Sequence, residues 1–122
     1  MHEFTVASMI VERVRVEASK HGAKKVRKVE VKLGELTLVN PEQLKFNYEV
    51  LSQDPLLKGS ELIVKVVSGE VSCRECGFHG KPRYRDDPSL HLFPMFSCPI
   101  CESPVEVVKG REIVISRITL EF

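Results

Sequence analysis

The chain has 122 residues, with 18 basic and 17 acidic side chains and a net charge of +1. That length suits one domain, or one domain with a small appendage, and the charge balance argues against a dedicated nucleic-acid binder, which carries a clear basic excess. No apolar run reaches the roughly 18 residues of a membrane helix and no leader-like stretch opens the chain, so the expectation is a soluble, cytoplasmic protein with no membrane partner.

From about Phe4 to His21 the pattern is an amphipathic helix. Ala7, Ile10, Val11, Val14 and Ala18 fall on one face, and Glu12, Arg13, Arg15, Glu17 and Lys20 on the other. Gly22 stands where a helix-ending residue belongs. Val29, Val31 and Leu33 alternate with Lys28, Glu30 and Lys32, the mark of a half-buried strand. Asn40-Pro41-Glu42-Gln43 is a helix start, with Asn40 as cap and Pro41 at the first helical position. The helix it opens places Leu44, Tyr48 and Leu51 on one side, with Phe46 and Val50 beside them, and ends before Asp54-Pro55. Leu62, Val64 and Val66 alternate in a second strand. A third runs from Ile113 to Phe122, where Val114, Ile118, Leu120 and Phe122 share a parity and Ser116 is the polar exception.

Between the last two strands, from about Glu70 to Val108, Gly, Pro, Ser and charge replace apolar periodicity. All four cysteines lie here, in Cys73-Arg74-Glu75-Cys76-Gly77 and Cys98-Pro99-Ile100-Cys101. A Cys-x-x-Cys pair puts two thiolates on one tight turn, about the bite of an ion with metal–sulfur bonds near 2.3 Å. Two such turns, separated by the 21 residues from Gly77 to Ser97, close a four-thiolate shell with no open position, so the site is structural and not hydrolytic. Zn2+ is the expected occupant. A rubredoxin-like iron site would use the same thiolates, and a pair of disulfides would need an oxidising compartment. Roughly 40 residues with so few large apolar groups cannot bury a core, so metal must supply folding energy on the order of 10 kcal/mol or more. The expected fold class is α+β: two helices on a small three-stranded antiparallel sheet, with an inserted four-cysteine zinc-ribbon domain. The strands at 62–68 and 112–121 are expected to pair antiparallel around the insert. Glycines in Ser68-Gly69-Glu70 and Lys109-Gly110-Arg111 suggest a hinge at the joins.

The chain begins Met1-His2-Glu3. The terminal amine, the backbone nitrogens of His2 and Glu3 and the His2 imidazole can form fused chelate rings around one ion. Such nitrogen-rich, near-planar coordination suits Ni(II) or Cu(II). His2 is bulky, which disfavours removal of Met1, and the Glu3 carboxylate can orient the imidazole or ligate from outside the plane. The plainer reading of an early histidine is a frayed, solvated terminus.

Met-His-Glu at the start, an amphipathic helix, Val31-Lys32-Leu33-Gly34-Glu35-Leu36, the Asn40-Pro41-Glu42-Gln43-Leu44 helix start, and Cys-x-x-Cys-Gly with Cys-Pro-x-Cys together resemble the HypA family of hydrogenase nickel-incorporation proteins. The resemblance spans essentially the whole chain. It implies a nickel metallochaperone that works with a HypB-type GTPase to load the nickel–iron hydrogenase large subunit and, in some bacteria, serves urease. It makes His2 the nickel ligand, with Met1 and Glu3 beside it, and Cys73, Cys76, Cys98 and Cys101 the zinc ligands. It implies a nickel-binding domain of residues 1–69 and 110–122 and a zinc-binding domain of residues 70–109. His91, in Ser89-Leu90-His91-Leu92-Phe93-Pro94, is a candidate extra nickel ligand, though a solvated loop or packing residue is the favoured reading. His79 could enter a mixed zinc shell, but four thiolates already close it.

The principal rival is a zinc-ribbon nucleic-acid or transcription-associated module using Lys24, Lys25, Arg27 and Lys28 with Lys81, Arg83 and Arg85 as phosphate contacts. Against it, residues 70–110 hold five basic and six acidic side chains, so the knuckle region is not a basic surface. Nor is an enzyme indicated: the chain has no Gly-rich phosphate loop, no Gly-x-Ser-x-Gly and no open-shell, His-rich zinc motif.

Overall fold

The computed structural model describes residues 3–85 and 95–122. Helix α1 (Glu3–Lys20) buries Val6, Ala7, Ile10, Val11, Val14 and Ala18, the face expected from the periodicity with Val6 added. Its end is closed by Gly22 N–H donating to Ser19 O at 3.1 Å and Ala23 N–H donating to Ala18 O at 3.0 Å. That pair of bonds is a Schellman ending, which satisfies carbonyls the helix would otherwise leave open.

Strand β1 (Lys25–Gly34) follows. A 3₁₀ turn (Glu35–Thr37) leads to helix α2 (Pro41–Leu51), whose cap Asn40 accepts N–H bonds from Glu42 and Gln43. Strand β2 (Glu61–Val67) completes the first half. Short strands β3 (Glu70–Ser72), β4 (His79–Gly80), β5 (Arg83–Arg85), β6 (Met95–Ser97) and β7 (Glu106–Lys109) come next, and β8 (Ile113–Glu121) closes the chain. The main sheet has the order β2-β1-β8, with α1 and α2 contributing to one core over it. A second sheet has the order β4-β3-β7, and β5 pairs with β6.

The expected pairing of the second and last strands is not what forms. β1 lies between them, parallel to β2 and antiparallel to β8, so the sheet is mixed. The physical reason is burial: Val26, Val29, Val31 and Leu33 are each at most 1% exposed, which marks β1 as the central strand. The link from 35 to 60 carries α2, and a helical crossover of that length is what a parallel neighbour needs. β8 departs from the expected parity too. Ile113, Ile115, Ile118 and Leu120 pack on the core, while Val114 and Phe122 are exposed. A register shift explains this: Arg117 is opposite Glu30, and Ile115 is opposite Val31. Ser116 is the extra residue, its hydroxyl donating to Glu30 O at 3.1 Å, and each bulge of this kind exchanges the faces of the strand beyond it. Phe46, Val50 and Val66 are exposed as well.

Asp54 pins the end of α2 to α1. Its Oδ1 accepts the N–H groups of Leu56 and Leu57, each at 3.0 Å, and Arg15 Nε donates to its Oδ2 at 2.9 Å. Burial works to raise the Asp54 pKa, but the Arg15 guanidinium and the Leu57 and Leu56 N–H groups outweigh it and hold the carboxyl below its ordinary value. A depressed carboxylate stabilises the fold in full above its unfolded pKa, and that stability is lost as pH falls through the lower folded value. Asp54→Ala is therefore expected to cost about 1–3 kcal/mol near neutral pH. The difference in melting temperature from the parent should shrink below about pH 4; a pH-independent difference would contradict the assignment.

Candidate metal centres

The two knuckles fold into the same turn. Cys73 N–H donates to Phe78 O at 2.8 Å and Gly77 N–H to Cys73 O at 3.0 Å; Cys98 N–H donates to Ser103 O at 2.9 Å and Glu102 N–H to Cys98 O at 2.9 Å. The fifth residue of each adopts the left-handed conformation, Gly77 at φ 78° and Glu102 at φ 63°. Glycine takes that conformation without cost, whereas another residue pays about 1–2 kcal/mol. The Arg83 guanidinium donates to the Glu102 carboxylate at 2.9 Å, an exposed pair that contributes little against that cost. Gly77→Ala is thus expected to weaken metal retention by about 1–2 kcal/mol against a competing chelator; retention equal to the parent would show that the turn relaxes freely.

The four sulfur atoms lie within 4.8 Å of one another. Cys73 and Cys101 are separated by 3.6 Å, Cys76 and Cys98 by 3.5 Å. Tetrahedral bonds near 2.3 Å would set sulfur–sulfur edges of about 3.8 Å, so the donor set fits Zn2+. Cys73 and Cys98 are buried, and Cys76 and Cys101 are exposed. The thiols differ in acidity. The Ser103 hydroxyl and N–H bring Cys101 down to about 6. At Cys98, burial is outweighed by the N–H groups of Cys101 and Ile100, and its pKa falls. At Cys76 the Phe78 N–H pulls the other way, but the neighbouring thiols, Cys98 first, push it up to about 12. A metal ion would displace the protons that such a cluster retains. His79 is not among the clustered donors; it faces Glu70, with Nε2 3.8 Å from the carboxylate.

The second candidate centre begins at α1. Met1, His2 and His91 lie outside the described residues. Glu3, the first residue of α1, uses Oε1 to accept the Asn40 N–H at 3.0 Å, which docks the start of α1 against the cap of α2. The sequence offers no sign of this contact, because its partners are 37 residues apart.

A family model described as hydrogenase/urease nickel incorporation, metallochaperone, HypA matches residues 1–120. The chain belongs to the HypA family. The hydrogenase maturation factor HypA of Methanothermobacter thermautotrophicus is 38% identical over 122 residues, covering 99% of this chain and 98% of its own. That of Methanosarcina barkeri is 34% identical over 129 residues, covering 99% and 96%. The solution structure of the Ni metallochaperone HypA from Helicobacter pylori superposes with a TM-score of 0.66 at 20% identity, covering 99% of this chain and 98% of that one. At that identity the likeness speaks for the fold, and it extends through both sets of strands. The HypA resemblance read from the sequence is thereby confirmed. Among the described residues no helix is long and apolar enough to cross a membrane.

Proposed function

We propose that this chain is a nickel metallochaperone that delivers Ni(II) during maturation of nickel–iron hydrogenase and carries a structural zinc ion. The observation that carries the proposal is the family match over residues 1–120, which takes in Met1-His2-Glu3 and all four cysteines. Residues 1–69 and 110–122 form the nickel-binding domain, and residues 70–109 the zinc-binding one. Cys73, Cys76, Cys98 and Cys101 hold zinc as a closed staple. His2 ligates nickel together with the amine of Met1 and the backbone at Glu3, while the Glu3 carboxylate, bonded to Asn40, orients the terminus.

Two metals with different chemistry serve two tasks. A four-thiolate shell with no open position holds its ion tightly. A chelate built on a terminus must order that terminus on binding, which offsets part of the coordination energy and keeps nickel releasable. The protein itself catalyses nothing in this reading. Its partners are a HypB-type GTPase and the hydrogenase large subunit, in the cytoplasm. The nucleic-acid alternative gains no support, since Arg27, Lys81 and Arg83 each face a glutamate carboxylate.

The test is transfer. Nickel-loaded protein, mixed with the GTPase and the metal-free large subunit, should raise the nickel content of the large subunit above that given by free Ni(II) at equal concentration. Equal loading from free Ni(II) would remove the chaperone role.

A further inference from the structure

The stretch Leu33-Gly34-Glu35-Leu36, part of the family resemblance in the sequence, stands where three segments cross. A Cβ on Gly34 would lie 2.2 Å from the Gly110 carbonyl oxygen, and one on Gly110 would lie 2.6 Å from the Gly69 Cα. A Cβ on Gly69 would lie 2.4 Å from the Leu36 side chain. The backbones therefore touch, and the glycines at the joins serve close approach, not a loose hinge. Leu36 is 2% exposed yet stands outside the main core cluster. It is buried at this crossing.

Polar contacts close the same point. Leu36 N–H donates to Gly110 O at 2.7 Å and Gly34 N–H to Glu112 O at 2.8 Å. Glu35 Oε1 accepts the Gly69 N–H at 2.9 Å and Lys81 Nζ at 3.1 Å. The Gly69 N–H and then Lys81 hold the Glu35 carboxyl below its ordinary pKa against the opposing effect of burial. Lys81 is 66% exposed, so its ion pair contributes little; the bond to backbone and the steric fit carry the joint.

The segment that leaves this crossing has no slack. Thr37 Oγ1 donates to Gly34 O at 2.7 Å and accepts the Val39 N–H at 3.3 Å. Leu38 N–H donates to Glu35 O at 3.2 Å, Val39 is buried in the main core, and Asn40 both caps α2 and donates its own N–H to Glu3. One bonded segment thus runs from the base of the four-thiolate ribbon to the first residue of α1.

We propose that residues 34–40 are a strut that fixes the ribbon in one orientation relative to the amino-terminal end of α1, with Glu35 and Leu36 as its positioning residues. The strut presents the two ends of the molecule to a partner as one rigid surface, and this holds whether or not the terminus binds nickel.

The test uses zinc-loaded, full-length protein weakly aligned for NMR, with residual dipolar couplings fitted separately to α1, β1, β2 and β8 and to β3, β4 and β7. The parent should give one alignment tensor for both sets. Glu35→Ala should lower the tensor magnitude of the ribbon by about half, the signature of a mobile joint, with zinc content unchanged. Glu35→Gln, which keeps an acceptor for the Gly69 N–H, should restore parent behaviour. Leu36→Ala is the second variant and should loosen the joint as well. Two different tensors in the parent, a single undiminished tensor in both alanine variants, or loosening by Glu35→Gln equal to that of Glu35→Ala would each overturn the proposal.

Discussion

Cys98→Ala is expected to unfold the ribbon and leave the helical body folded. Cys98 is fully buried and faces Cys76 across the cluster at 3.5 Å. Its removal opens the shell to three thiolates and forfeits much of a binding energy on the order of 10 kcal/mol. The ribbon has little else to hold it. β3 has three residues and β4 two, and among the described residues of this part Val71 is the one fully buried large aliphatic side chain. The body, in contrast, owns a continuous cluster that runs from Val6 on α1 through β1 to Tyr48 on α2 and Leu62 on β2. Metal analysis should find less than one zinc per chain in the variant. Far-UV dichroism should retain its helical signal, and amide resonances of β3, β4 and β7 should collapse to the unfolded range. Full zinc occupancy with a native spectrum would contradict the account.

His2→Ala is expected to weaken nickel binding by about 100-fold or more, because losing even an outer partner of a metal ligand costs about 10–100-fold. The fold should be untouched, since α1 begins at Glu3 and its buried face starts at Val6. A short extension ahead of Met1 should do the same damage by removing the amine from the chelate. The imidazole must be neutral to ligate, so nickel affinity in the parent should fall as pH drops through about 6.5. Melting temperature and zinc content, measured beside the affinity, separate loss of the site from loss of the structure.

Some of this molecule is plain in its sequence, and the reason is local repetition. α1 follows from its apolar spacing and Gly22, α2 from the Asn40 cap, and the four-thiolate cluster from the two knuckles. What stays hidden depends on segments far apart. The Ser116 bulge inserts one residue and reverses which side chains of β8 face the core; the polar Ser116 breaks the apolar parity, but a break in parity does not by itself mark a register shift. The parallel pairing of β1 with β2 follows from which strand is buried on every inward position, a property of the assembled sheet. Glu102 matches Gly77 in backbone conformation without being glycine. The two bonds made by Glu3 and Glu35 join residues 37 and 34 positions apart. Charged side chains at such positions read as solvated until the fold brings a backbone N–H to them.

Nickel titration of the zinc-loaded, unextended protein, followed by absorption and by calorimetry, decides whether the amino terminus is a nickel site. Binding should be stoichiometric, with the d–d band of a planar, nitrogen-rich Ni(II) site that is absent from His2→Ala. Equal titrations for the two proteins, or no binding by either, would contradict that assignment.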